Sequence, residues 1–289
     1  MQQFIGQLAI DQPMTLELRP RKFESAIETF QMNRKRLVQL CLALAPVLSP
    51  TSSLAQTFDV KQVDVTKGAI EYGPESMFAR GLGEGANQYA NEHALFYGLT
   101  SWWKISGAIK FEQPQSDDLR LTAVAGSSLF VLKPIDDKKA FDLGLGWYTE
   151  LAGAARNDAT NAVLFGVVPT LKSEKIAFTS NLFLEKTFGQ NREEGIAFAY
   201  GWQVKYEIRE GLGLGVEGFG VIDNLGNAPP WSGQEHRVGP VVYTQLELGN
   251  DVKVGIDLGL LYGLTPTTAD LALKLNFNVP IYQTRSAAR

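Results

Sequence analysis

Residues 194–209 read Glu-Gly-Ile-Ala-Phe-Ala-Tyr-Gly-Trp-Gln-Val-Lys-Tyr-Glu-Ile-Arg, and they alternate with a period of two. Ile196, Phe198, Tyr200, Trp202, Val204, Tyr206 and Ile208 fall on one side, and Ala197, Ala199, Gly201, Gln203, Lys205, Glu207 and Arg209 on the other. Successive side chains of a β-strand point to opposite faces of its sheet, so this stretch predicts one strand with an aromatic face and a face that is small or charged. In a soluble sandwich the apolar face would be the core and the charged face would meet water. Here the polar face is crowded with glycine and alanine, which suits an inward surface where space is limited, and the aromatic face then points outward to lipid.

The same split recurs at Trp103, Ile105, Gly107, Ile109 and Phe111 against Lys104, Ser106, Ala108, Lys110 and Glu112, and at Val252, Val254, Ile256 and Leu258 against Lys253, Gly255, Asp257 and Gly259. About twelve such segments run from Lys67 to Ile281. Most reach the roughly 9–11 residues that a tilted strand needs to cross a bilayer. The predicted fold class is therefore all-β: a transmembrane antiparallel β-barrel of about 12 strands in an up-and-down meander. The first strand is read as Lys67–Gly73, with Pro74–Gln88 as a loop, and the other long Gly/Pro/Asn-rich connections fall on the same, outer side. Short turns such as Thr100-Ser101 and Glu210-Gly211 fall on the periplasmic side, where only Lys133–Lys139 is long. Trp103 and Phe111, like Phe198 and Tyr206, bracket a span of about 20 Å along the membrane normal, the spacing of interfacial aromatic girdles.

Composition agrees. The 289-residue chain is 45% apolar, with a mean hydropathy of −0.08 and a net charge of −4, which excludes a bundle of membrane-spanning helices. The one long apolar run, Leu37–Leu48, is broken by Gln39 and Pro46 and is too short to span. It follows Arg34-Lys35-Arg36 and leads to Ser53-Leu54-Ala55, so residues 32–55 read as a secretory signal peptide cleaved after Ala55. Residues 1–31 lack the alternation and read as an extra N-terminal extension, with Met1 and Met32 both open as the start; a cytoplasmic tail is the other reading. Residues 56–289 form the barrel domain. Cys41 lies inside the signal, so the mature part has no cysteine and no disulfide framework. Its 21 basic and 27 acidic residues carry no basic stripe for phosphates, which argues against a nucleic-acid partner.

The stretch Gly68-Ala69-Ile70-Glu71-Tyr72-Gly73-Pro74-Glu75, followed by Glu92-His93-Ala94-Leu95-Phe96-Tyr97-Gly98-Leu99-Thr100-Ser101-Trp102-Trp103-Lys104, resembles proteobacterial outer-membrane proteins of the phenol-degradation meta-pathway "transporter" type. That resemblance implies a β-barrel that helps hydrophobic or aromatic compounds across the outer membrane, and it transfers no binding residue. The closing segment Leu271, Leu273, Leu275, Phe277, Val279 resembles an outer-membrane assembly signal, which implies barrel-assembly machinery and outer-membrane lipid as partners.

Catalytic chemistry finds little support. The chain has two histidines, His93 and His236, and a nucleophile–histidine–acid set would have to use one of them; Ser232 and Glu235 are only sequence neighbours of His236. Neither Gly211–Gly215 nor Gly81–Gly85 is followed by the Lys-Ser/Thr of a phosphate loop, and the scattered carboxylates lack calcium-loop spacing. The chain is thus read as a non-enzyme without cofactor or metal. The remaining functional surface is the inward polar face, with Lys104, Lys110, Glu112, Arg120, Asp142, Glu150, Glu185, Lys205, Glu207, Arg209, Glu217, Arg237, Glu247, Lys253, Asp257 and Lys274 as candidate pore-lining residues. Their mixed signs suit either a narrow passive channel for a small-molecule solute or a salt-bridged plug in a non-conducting structural or surface-interaction barrel. Ala197, Ala199, Gly201, Gly213, Gly215, Gly255 and Gly259 thin one wall and favour the channel. Pro229-Pro230-Trp231 suits a pore constriction or a binding loop. N-terminal sequencing of the membrane-extracted protein should begin at Gln56; an intact Met1 would contradict the signal-peptide reading.

Overall fold

A computed structural model describes residues 58–81, 87–114, 118–136, 138–248 and 252–282. The expected signal peptide and the extension before it lie outside the described residues. The described residues form twelve strands: β1 (Ile70–Arg80), β2 (Asn87–Gly98), β3 (Trp103–Pro114), β4 (Arg120–Lys133), β5 (Phe141–Ala154), β6 (Asn161–Ser173), β7 (Ile176–Phe188), β8 (Ala197–Arg209), β9 (Leu212–Ile222), β10 (Glu235–Glu247), β11 (Lys253–Gly263) and β12 (Leu271–Tyr282). Each pairs antiparallel with its sequence neighbours, and β12 returns to β1, so the meander closes into a barrel. Connections at one end shrink to Glu174-Lys175 and Glu210-Gly211, while 223–234 spans β9 to β10 at the other. In the second of these tight turns Gly211 has φ 72°, a conformation that side-chain-bearing residues rarely adopt.

The cross-strand register fixes which side chains share a face. Glu75 lies opposite Glu92, Glu92 opposite Lys110, Lys110 opposite Ala123, and so round the wall; these point into the lumen. The exposed large apolar side chains, among them Leu95, Ile109, Val124, Leu151, Leu182, Val204, Val216, Leu258 and Leu273, occupy the other face. An exterior of this kind needs an apolar solvent, so the apolar-out orientation holds. Aromatics cover its gaps. Trp202 is paired with Gly218 and Tyr200 with Gly220, and a Cβ on either glycine would come within 2.4 Å or 2.6 Å of the ring beside it, so each ring lies across the bare backbone of the next strand.

The largest difference from the sequence reading is in the first strand. β1 does not end at Gly73 but continues through Pro74 to Arg80. Proline has no N–H to give, and the β1–β12 ladder passes from Tyr72–Val279 to Glu75–Asn276 without using Gly73 or Pro74. The long connection 134–140 is on the short-turn end, as expected, but it is tied down. Asp142 accepts from Lys133 Nζ at 3.1 Å and from the Asp136 backbone at 2.8 Å, and Ile135 packs onto the lumen-facing Gly144.

Val204 is exposed on the outward face midway along β8, whereas Glu207 sits exposed near the strand's end on the inward side. Val204→Arg should destabilise the refolded barrel by roughly 2–4 kcal/mol in a urea titration in lipid vesicles, the range for arginine near the bilayer midplane. Glu207→Arg should leave the midpoint almost unmoved. Equal losses would refute the assigned faces.

Candidate functional site: the occupied lumen

The sequence Phe58-Asp59-Val60-Lys61-Gln62-Val63-Asp64-Val65-Thr66 precedes β1, and the chain runs through the lumen here rather than away from the barrel. Its apolar side chains come in two alternating pairs, Phe58/Val60 and Val63/Val65, and they meet the inner wall. Phe58 and Val60 are buried with Met77, Ala79, Ala90, Phe219, Leu261 and Ala272. Val63 is buried with Leu129, Tyr148, Val168, Phe183 and Ala199. The Phe58 ring stands 5.1 Å from that of Phe219, and the Arg237 guanidinium lies 4.3 Å above it.

Two lumen-facing asparagines hold the backbone of this segment. Asn181 Oδ1 accepts from the Lys61 N–H at 2.7 Å, while its Nδ2 donates to the Lys61 carbonyl at 3.0 Å, so one side chain replaces both bonds of a strand partner. Asn276 Nδ2 donates to the Phe58 carbonyl at 2.9 Å. These bonds satisfy main-chain groups that would otherwise be buried without partners. Charges add to the clamp. Lys61 Nζ lies 2.9 Å from Asp59 and 3.4 Å from Glu75, and Asp64 lies 3.5 Å from Lys104 near the short-turn end.

The wall on either side carries two similar ion-pair triads. On β3 and β5, Lys110 Nζ meets Glu150 at 2.6 Å, and Tyr148 donates to the other oxygen of that carboxylate at 2.6 Å; Glu92 stands 3.4 Å from the same ammonium. On β12, β9 and β10, Lys274 Nζ meets Glu217 at 2.6 Å, and Tyr243 donates to Glu217 at 2.9 Å. Both members of the second pair are fully buried. Removing one partner of such a pair leaves a charge without solvent, a larger loss than the pair itself contributes.

The candidate pore-lining residues thus divide. Lys104, Lys110, Glu112, Arg120, Asp142, Glu185, Lys205, Glu217, Arg237, Asp257 and Lys274 occupy inward register positions. Glu112 lies opposite Arg120, Arg237 pairs with Glu235 at 3.0 Å, and Lys205 stands 4.6 Å over the Tyr243 ring. Glu207, Glu247 and Lys253 gather at the exposed short-turn rim, where Lys253 reaches Glu210 at 2.9 Å and Glu247 at 3.5 Å. Arg209 is a correction: the register shifts between Glu207 and Arg209, which breaks the alternation and leaves Arg209 exposed opposite Leu212. The glycine-thinned wall is a second one. Phe219 lies over Gly201, Tyr243 over Gly215, and Val60 reaches Gly201 too, so the missing side chains make room for the segment and for long neighbours.

Trp231 does not constrict the pore. It stacks on His236 at 4.0 Å, and His236 pairs with Gly220 on the outward face. The imidazole is held by Tyr200 at Nδ1, 2.8 Å, and by Gln234 at Nε2, 2.9 Å; Thr265 and Thr267 donate to the Gln234 carbonyl. Both ring nitrogens are therefore engaged, Nδ1 by strand β8 and Nε2 by the loop before β10. His93 also points outward, stacked on Tyr72 with its Nδ1 2.5 Å from the hydroxyl. In the outer loops, burial raises the Glu193 and Asp223 carboxyls above their usual range, and the charge of Asp223 pushes Glu193 further.

No family model and no curated protein matches the chain by sequence. Among solved structures it is similar to an outer membrane channel from Pseudomonas putida F1, with 12% identity over 77% of this chain and 99% of that one and a TM-score of 0.54. A KdgM porin in complex with oligogalacturonate gives 8% identity, 74% and 99% coverage and a TM-score of 0.48. The NanC porin gives 11%, 72%, 98% and 0.47. The fold is that of outer-membrane channels: a closed, antiparallel, twelve-stranded barrel.

Lys274→Ala strands Glu217 inside the wall and should lower the unfolding free energy by roughly 3–5 kcal/mol in urea. Lys253→Ala, at the wet rim, should leave the urea midpoint unchanged within error.

Proposed function

We propose that the protein is an outer-membrane uptake channel for small hydrophobic or aromatic solutes, closed at rest by its own residues Phe58–Thr66. One observation carries this reading: apolar seats inside the barrel are filled by the side chains of a segment that belongs to no strand and is held by a few directional bonds. Burying a Phe or Val side chain contributes about 1.5–3 kcal/mol, and a net hydrogen bond about 1 kcal/mol. Spontaneous withdrawal is therefore rare. A solute that takes over the same seats returns most of what the segment loses, so an apolar or aryl compound can compete for the path while a small hydrophilic one cannot.

The resemblance of Gly68–Lys104 to the phenol-degradation "transporter" type points the same way, as does the fold shared with outer-membrane channels. Export would use the signal peptide ending at Ala55, and insertion the barrel-assembly machinery, with outer-membrane lipid around the apolar exterior. The occupied lumen also suits the second reading, a non-conducting structural or surface-interaction barrel.

Planar-bilayer recording of the refolded mature protein separates the two. Phe58→Ala/Asn181→Ala removes one ring of the segment and the two-bond clamp that β7 gives its backbone. The double variant should show open-channel current at least several-fold above wild type, with the barrel still folded by far-UV circular dichroism. A folded double variant as silent as wild type would support the non-conducting barrel.

A further inference from the structure

Lys61 is the cation of the lumen segment; it meets Asp59 of its own segment at 2.9 Å and one carboxylate of the wall. Glu75 is 5% exposed, faces inward from β1 and takes Lys61 Nζ at 3.4 Å. Directly opposite Glu75 in the β1–β12 register stands Asn276, likewise 5% exposed. Its Nδ2 is used by the Phe58 carbonyl, but its Oδ1 is buried without a hydrogen-bond partner among the described residues. A buried acceptor left unpaired is costly, and it is rare in folded proteins unless a ligand or ordered water uses it. Glu92, one strand further round and paired in register with Glu75, adds negative charge on the same side. The nearest wall ammoniums are already engaged: Lys110 by Glu150 and Glu92, and Lys274 by Glu217. The aromatic seat of Phe58, between Phe219 and Arg237, lies three residues along the same extended segment, about 10 Å away at roughly 3.3 Å per residue.

We infer that the lumen contains a binding site for an organic ammonium carrying an aryl group, formed by Glu75 and Asn276 Oδ1 for the ammonium and by Phe219 and Arg237 for the ring. In the closed barrel, Lys61 at Glu75 and Phe58 between Phe219 and Arg237 fill two of these positions as a built-in ligand, and Asn276 Oδ1 is the acceptor they leave unused. This rests on the channel reading above for its access route, but not for its chemistry. A primary ammonium has three N–H donors, and the carboxylate and the amide oxygen take two of them. An aryl alcohol of the same length offers one donor and no charge, and an aryl carboxylate is repelled by Glu75 and Glu92. The class selected is thus narrower than hydrophobic solutes in general, and the selection comes from the pair Glu75–Asn276 rather than from the apolar wall.

Two experiments on the full mature chain test this separately from conduction. In Lys61→Ala the ammonium of the segment is gone while its backbone clamps remain. Millimolar n-butylammonium should then raise the thermal unfolding midpoint of the variant by several degrees, n-butanol and sodium should not, and neither should act on wild type. Adding Glu75→Gln should abolish the rescue. In the Phe58→Ala/Asn181→Ala channel, 4-phenylbutylammonium should block the current at least tenfold more strongly than 4-phenylbutanol, and Glu75→Gln should erase that preference. No rescue in Lys61→Ala, or equal block by amine and alcohol, overturns the site. Rescue with a silent double variant keeps the site and rejects the channel.

Discussion

Every strand of this barrel depends on the closure of β12 onto β1. In a lipid environment an unpaired row of N–H and C=O groups has no water to turn to, so an open twelve-stranded sheet would leave two such edges exposed to hydrocarbon. Closure removes them, and the register it imposes decides the rest. Leu273 and Phe78 go out together, and Lys274 and Met77 go in together. The ladder passes over Gly73-Pro74, which lets a residue without an N–H be built into a spanning strand.

A closed barrel of twelve strands encloses a volume that must be filled with water, side chains or chain. Here side chains and a stretch of chain are seen to fill it. Long charged residues lie along the wall in Lys–Glu–Tyr groups over small neighbours, so that their heads meet each other rather than the axis. Glycines on β8 and β9 leave room for rings and for Val60, and Gly259 on β11 leaves room for Val241 and Lys274. The N-terminal segment then supplies the remaining apolar surface. Its seats are apolar in side-chain terms and amide-lined in backbone terms, which explains how a stretch without a hydrogen-bonded neighbour strand can be buried.

The outer loops are organised on the other face of the wall. His236, held between Trp231, Tyr200 and Gln234, fastens the 223–234 and 264–270 connections together outside the lumen.

Alternation alone settled the strand number, the meander, the lipid-facing side and the inward position of Lys110, Glu217, Arg237, Asp257 and Lys274, because a period of two maps directly onto the two faces of a pleated sheet. It also led to errors where the local rule breaks. Arg209 follows a register shift that no composition signals, and Pro74 read as a stop although its missing donor is harmless at that register position. Which charges pair was not legible either, since Lys110 with Glu150 and Lys274 with Glu217 meet across intervening strands, a matter of barrel curvature. The lumen segment was hardest to see. Phe58, Val60, Val63 and Val65 do show an apolar pattern, yet a short stretch ahead of an already even-numbered barrel has no strand to pair with in sequence terms. Only the tertiary structure brings Asn181 and Asn276 to it, from positions 120 and 218 residues away along the chain, and so turns a leader into the content of the barrel.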